Sequence, residues 1–107
     1  MRIAQQDILE LFRNPKHVSP EFPSGYWQVG VAPPSDEAWD RTVEAFRADL
    51  KAMCDLVADP KIDLFATTPG GDSQTVLREA LLVADHNAYH AGQMAMLRRC
   101  LGIWPMR

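Results

Sequence analysis

The strongest constraint on the fold is a regular series of large apolar residues in the middle of the chain. Their spacing is four, three, four, three and four residues: Trp39, Val43, Phe46, Leu50, Met53 and Val57. This spacing places a single apolar seam along one helix, as is typical of helical bundles. Ser35 precedes the seam as a predicted N-cap, and Asp59-Pro60 ends it. The sequence therefore predicts a long helix that packs in an all-α bundle.

Two further segments predict helices on either side of this one. The first runs from the start of the chain to about Arg13, where a proline turn follows. The last begins near Ser73–Thr75 and extends to about Leu101, with Gly102 as its C′ residue. Because this last helix is apolar on two sides, we expect neighbours to enclose it. The sequence thus predicts three main helices in a single domain, residues 1–107.

The segment between the first two helices is rich in proline and aromatic residues. It spans Pro15 to Pro34, contains five of the eight prolines and includes Phe22, Tyr26 and Trp27. Flexible linkers rarely contain so many large apolar residues. We therefore expect an ordered loop that packs its aromatic rings over the helices.

The composition argues against several classes of function. Lysine and arginine total 11 against 14 acidic residues, a formal charge of −3, so no basic surface for nucleic acid or for a membrane is expected. No apolar run approaches the roughly 18 residues of a transmembrane helix, and the amphipathic start does not resemble a signal peptide. Cys54 and Cys100 lack CxxC spacing, which indicates buried, reduced thiols and a cytoplasmic protein.

Two histidines on the last predicted helix are the main candidates for function. His86 and His90 are four residues apart, so their imidazoles project from one face in adjacent turns. Buried imidazoles need partners, and a divalent zinc, nickel or iron ion would satisfy both. The alternative is a pair of histidines that hydrogen-bond to Gln, Asp or backbone groups. His-x3-His spacing by itself does not decide between them, since the fuller HExxH pattern is absent.

Other polar residues near this pair are candidates for supporting roles. Glu79 and Gln93 fall in the same sector of the helix, roughly 60° wide, and either is a candidate to orient an imidazole. Tyr89 lies to one side of the pair, where it either hydrogen-bonds into the site or packs. His17 stands alone in the proline-rich loop and is interpreted as a surface histidine.

The segment from Thr75 to Gly102 resembles the final helix of the DinB superfamily, bacterial four-helix bundles related to the YfiT-like metal hydrolases. The stretch "HNAYHAGQM" fits the family pattern of His-x3-His-x-Gly-Gln followed by an apolar residue. The resemblance implies a DinB-like up-down bundle with His86 and His90 as metal ligands. It also implies that Gly92 permits close helix approach and that Gln93 lies by the site.

The chain also departs from the family pattern at one expected metal ligand. DinB proteins take a further histidine ligand from their second helix, whereas the first helix predicted here, "MRIAQQDILELF", has none. The expected position falls near or before Met1, and the first helix of the family has no counterpart. Three explanations are open. The chain belongs to a longer reading frame, a partner subunit supplies a ligand (an acid or His17 included), or the site has decayed. Each leaves an apolar groove, so we expect a homodimer that completes the bundle.

Two hypotheses for function follow from the resemblance. The first is a metal-dependent enzyme acting on a small molecule, either a hydrolase or a transferase that uses a small thiol cofactor such as bacillithiol or mycothiol. The second is a non-catalytic, homodimeric helical module that binds a small apolar ligand or another protein and retains a vestigial metal site.

Overall fold

The computed structural model describes residues 1–104, and within this range the fold is all-helical. Its helices are α1 (Arg2–Arg13), α2 (Asp36–Ala58) and α3 (Val76–Cys100), with a 3₁₀ turn at Ser24–Tyr26. The only β-type pairing in the described residues is an isolated bridge between Thr67 and Thr75. The predicted all-α class and the three main helices are confirmed. None of the helices in residues 1–104 has the length and hydropathy needed to cross a membrane.

Local side-chain chemistry sets the helix ends. The hydroxyl oxygen of Ser35 accepts a hydrogen bond from the amide of Ala38 at 3.2 Å, and that of Thr75 accepts one from Arg78 at 3.2 Å. Gly102 has a φ of +68°, the left-handed conformation in which glycine commonly ends a helix. The predicted N-cap of α2 and the predicted C′ residue of α3 are both confirmed.

The core lies where α1 crosses the other two helices. It consists of Ile8, Leu9, Met53 and Val83, with Phe12 and Ala52 packed at its edge. Of the predicted α2 seam only Met53 is fully buried, whereas Trp39 is largely exposed. With 12 residues, α1 is about 18 Å long, and with 23 residues α2 is about 35 Å long. The predicted seam is buried only in part, because α1 is too short to cover it.

A buried amide connects all three helices. The side chain of Gln5 on α1 is 1% exposed. Its Nε2 donates to the backbone oxygen of Phe46 on α2 at 2.8 Å, and its Oε1 accepts from Nδ2 of Asn87 on α3 at 2.7 Å. Among the described residues, the buried Oδ1 of Asn87 has no hydrogen-bond partner. This network fixes how α3 is rotated about its axis relative to α1.

Two expectations about burial are wrong. Neighbours do not enclose α3, since its alanine-rich side and Leu81 face outward. Cys54 and Cys100 are exposed free thiols rather than buried ones. Cys54 follows the buried Met53 and therefore points about 100° away from it around α2. Cys100 lies in the last turn of α3, where no residue is buried.

Candidate functional site

A pocket of about 810 Å³ opens between α3, the start of α1, the start of α2 and the first loop. His86 and His90 line it from α3, and Trp39 and Thr42 line it from α2. The remaining wall comes from the beginning of the chain and from loop residues between Phe22 and Pro34. This volume is in the usual range for small-molecule sites, and the wall is mostly apolar with a few polar groups.

The histidines reach the pocket because α1 covers only part of α3. His86 and His90 follow the buried Val83 by three and seven residues, so they lie on its side of the helix. The bond between Asn87 and Gln5 holds this side of α3 toward α1. Both histidines lie beside the first residues of α1, which line the pocket rather than the core.

The two imidazoles are arranged as a close pair. Their Nε2 atoms are 3.1 Å apart, and the ring planes are inclined by 75° with centroids 4.5 Å apart. If both nitrogens bound one ion at about 2.0–2.1 Å, this separation would correspond to an N–metal–N angle of about 98°. That angle lies between the octahedral and tetrahedral values of about 90° and 110°, so the pair fits a divalent metal ion. A separation of 3.1 Å is equally a hydrogen-bond distance, with one Nε2–H donating to the other ring.

Burial favours the neutral form of His86. Desolvation lowers the pKa of His86 from its ordinary value, and the charge of His90 lowers it further, while Asp85 acts in the opposite direction. The neutral imidazole is the form that binds a metal ion. His86 is therefore ready to act as a ligand near pH 7 without losing a proton.

The other candidates on α3 lie outside the immediate pair. Nε2 of Gln93 donates to the hydroxyl of Tyr89 at 3.1 Å, so it is engaged away from the imidazoles. Tyr89 is exposed, and its ring packs edge-on against His90 with centroids 5.4 Å apart. Glu79 is buried and pairs with the guanidinium of Arg78. The supporting roles assigned to these residues stay predictions.

The described residues contain no group of three or more His, Cys, Asp or Glu side chains positioned to hold a metal ion. Catalytic zinc sites usually have three protein ligands. Within residues 1–104, His86 and His90 are thus two potential ligands, one fewer than such a site usually has.

A second polar cluster was not predicted from the sequence. Asp7 on α1 places one carboxylate oxygen 2.6 Å from Nε2 of His17, and the other accepts a hydrogen bond from the hydroxyl of Tyr26 at 2.7 Å. Burial, followed by the bond to Asp7, raises the pKa of Tyr26 to about 12. The interpretation of His17 as an isolated surface histidine is wrong, since Asp7 binds it. The cluster ties the first loop to α1 beside the pocket.

Beyond this tie, the loop does not pack against the helices as predicted. Phe22 is largely exposed, and Trp27 is 76% exposed. Both line the pocket rather than the core. The open pocket lies between these rings and helices α1 and α2. The prediction of an aromatic loop packed over the helices is therefore wrong for all of its rings except Tyr26.

Comparison of the chain with models of protein families, with curated proteins and with solved structures finds no match. The resemblance to the DinB superfamily stays a prediction based on the residues of α3.

Proposed function

We propose that the protein is a DinB-like metal-dependent enzyme in which His86 and His90 bind a divalent metal ion. The observation that carries the proposal is the pair of Nε2 atoms, 3.1 Å apart, in the wall of a large apolar pocket. We assign it to the cytoplasm, because exposed free thiols such as Cys54 and Cys100 are typical of reducing compartments.

The residues of the chain have separable tasks in this proposal. His86 and His90 supply two nitrogen ligands, and burial of His86 keeps its lone pair available. Trp39 and the loop aromatics provide an apolar wall that contacts the apolar part of a small-molecule substrate. When bound, a divalent ion lowers the pKa of a water molecule or thiol toward neutrality and so supplies a nucleophile. Hydrolysis and transfer to a small thiol cofactor are the two reactions that fit.

A metal ion bound by His86 and His90 would need further ligands from outside this pair. No third protein ligand lies beside the two imidazoles within residues 1–104. We assign these positions to water, to substrate and to a carboxylate or imidazole from a second subunit. One position must stay open for substrate in any catalytic site of this type.

The second candidate is a non-catalytic binding module with a vestigial metal site. The specific observation in its favour is that the two imidazoles satisfy one another at 3.1 Å without any ion. The pocket would then bind a small apolar molecule through its aromatic wall alone.

Metal content distinguishes the two candidates. The purified protein is loaded with zinc or nickel, dialysed and analysed by mass spectrometry, alongside a His86→Ala/His90→Ala double variant. His17→Gln is the matched control, since it removes a histidine that Asp7 already engages. The enzyme proposal expects near-stoichiometric metal in the wild type and in the control but not in the double variant. Equal metal content in all three proteins would reject the proposal in favour of the binding module.

A further inference from the structure

The segment of α3 from His86 to Leu97 forms an exposed helical surface without charge. From His86 to Leu97, about three turns, the sequence contains no Asp, Glu, Lys or Arg, and the nearest charges are Asp85 and Arg98. Most of these side chains are nevertheless exposed, Tyr89 and Leu97 among them. A helix in contact with water normally carries charged residues on its outer face. This segment instead has the composition of a protein interior.

The surface continues the core-facing side of α3. Met94, Leu97 and Leu101 follow the buried Val83 at helical spacing and lie within about 60° of one another. All three are exposed, because the core formed with α1 and α2 ends before this point. Next to them, Gly92 leaves open space where a Cβ would stand. With Tyr89, Gln93, Met96 and Leu97, it forms a shallow groove of about 620 Å³.

The exposed area of the chain is larger than a folded monomer of its size should have. A 12.0 kDa monomer is expected to expose about 6,000 Å², whereas this chain exposes 8247 Å². Its radius of gyration is 15.9 Å, against about 13 Å for a compact domain of this length. This excess of about 2,200 Å² is that of the whole chain, the exposed first loop included, and it is as large as the roughly 1,000–2,500 Å² that one subunit buries in an obligate homodimer.

From these observations we infer that residues 86–97 of α3, continued by Leu101, form the interface with a second copy of this chain. The excess area matches a homodimer, and an uncharged surface meets its own copy across a twofold axis without repulsion. Enrichment in Met and Tyr with depletion of charge is typical of interface cores. The interface begins at the histidine pair, so the second copy lies beside the pocket. The inference requires no bound metal.

Sedimentation velocity of the metal-free protein tests the inference, at concentrations from about 1 to 100 μM. We expect a dimer across this range. Leu97→Lys should raise the dimer dissociation constant at least about 100-fold, because each dimer contains the substitution twice. Leu81→Lys is the matched control: both leucines are on α3, with exposures of 60% for Leu97 and 61% for Leu81, but they lie on opposite sides of the helix. The control should remain dimeric.

Three results would overturn the inference. A wild-type protein that sediments as a monomer at every concentration rejects it, whatever the variants do. Equal weakening by Leu81→Lys and Leu97→Lys would reject the assigned surface. A complex only with a different protein, and none with itself, would replace the second copy by another partner. The wild-type result does not depend on whether either variant folds.

Discussion

The amide of Gln5 offers the sharpest test of how the three helices are held together. In Gln5→Leu a side chain of similar volume replaces the amide, and both of its hydrogen bonds are lost. Nδ2 of Asn87 is then left without its acceptor in the interior, which costs about 1–3 kcal/mol. The backbone oxygen of Phe46 lies inside α2 and retains a helical donor, so its loss is smaller. Allowing for the added apolar burial of leucine, we expect a loss of about 2 kcal/mol in the free energy of unfolding.

Urea unfolding followed by circular dichroism measures this loss. With a slope of about 1–3 kcal/mol per molar urea, the midpoint should fall by roughly 0.7–2 M while the slope stays constant. All samples need the same protein concentration, because self-association would contribute to stability. Gln6→Leu is the control, since Gln6 is the exposed neighbour and its substitution should change stability by less than about 0.5 kcal/mol.

A double-mutant cycle separates the hydrogen bond from general disruption. Asn87→Ala removes the group that Gln5→Leu leaves unpaired. The double variant should therefore lose less unfolding free energy than the sum of the two single losses, with a coupling of about 1 kcal/mol. If Gln5→Leu were as stable as Gln6→Leu, or if the two losses were additive, the network would not contribute as described.

Three further predictions follow from the site and the core. Because burial lowers the pKa of His86, the unfolded chain binds a proton at a higher pH than the folded chain does, so the unfolding free energy should decrease as pH falls below about 6.5. Urea unfolding of His86→Gln at neutral and mildly acidic pH should show a smaller decrease than the wild type. A decrease equal to that of the wild type would contradict the role of His86. Asp7→Asn should lower the pKa of Tyr26 from about 12 while burial still holds it above its ordinary value, as followed by phenolate absorbance in a Tyr89→Phe background. A pKa unaffected by the loss of Asp7 would rule out that contact in solution. Met53→Ala, at a side chain 4% exposed, should cost about 2–5 kcal/mol on urea unfolding, and a loss below 1 kcal/mol would mean that the core lies elsewhere.

The helix ends could be predicted because their causes are local. Ser35 and Gly102 act within one turn of their own positions, so the residue type alone indicates the boundary. Burial along α2 could not be predicted in the same way. The apolar spacing shows which side of the helix faces inward, but the length of α1 decides how far the core extends, and Trp39 lies beyond it.

The candidate site was predicted only where its contacts are local in the sequence. The i, i+4 spacing of His86 and His90 places both imidazoles on one side of α3, and the structure brings them together. The contacts of Asp7 with His17 and Tyr26 join residues 10 and 19 positions apart through a loop. No periodic pattern links such positions, because the path of the loop determines which side chains meet.

The most direct test of the central claim is a zinc titration of the metal-free protein, followed by NMR of the histidine ring nitrogens. The proposal predicts that one equivalent of zinc shifts the Nε2 signals of His86 and His90 together, so that both rings carry their proton on Nδ1. The ring of His17, which Asp7 engages, should not respond. Unchanged signals for the pair, or equal and weak responses from all three histidines, would contradict the proposal and leave His86 and His90 as a hydrogen-bonded pair in an apolar pocket.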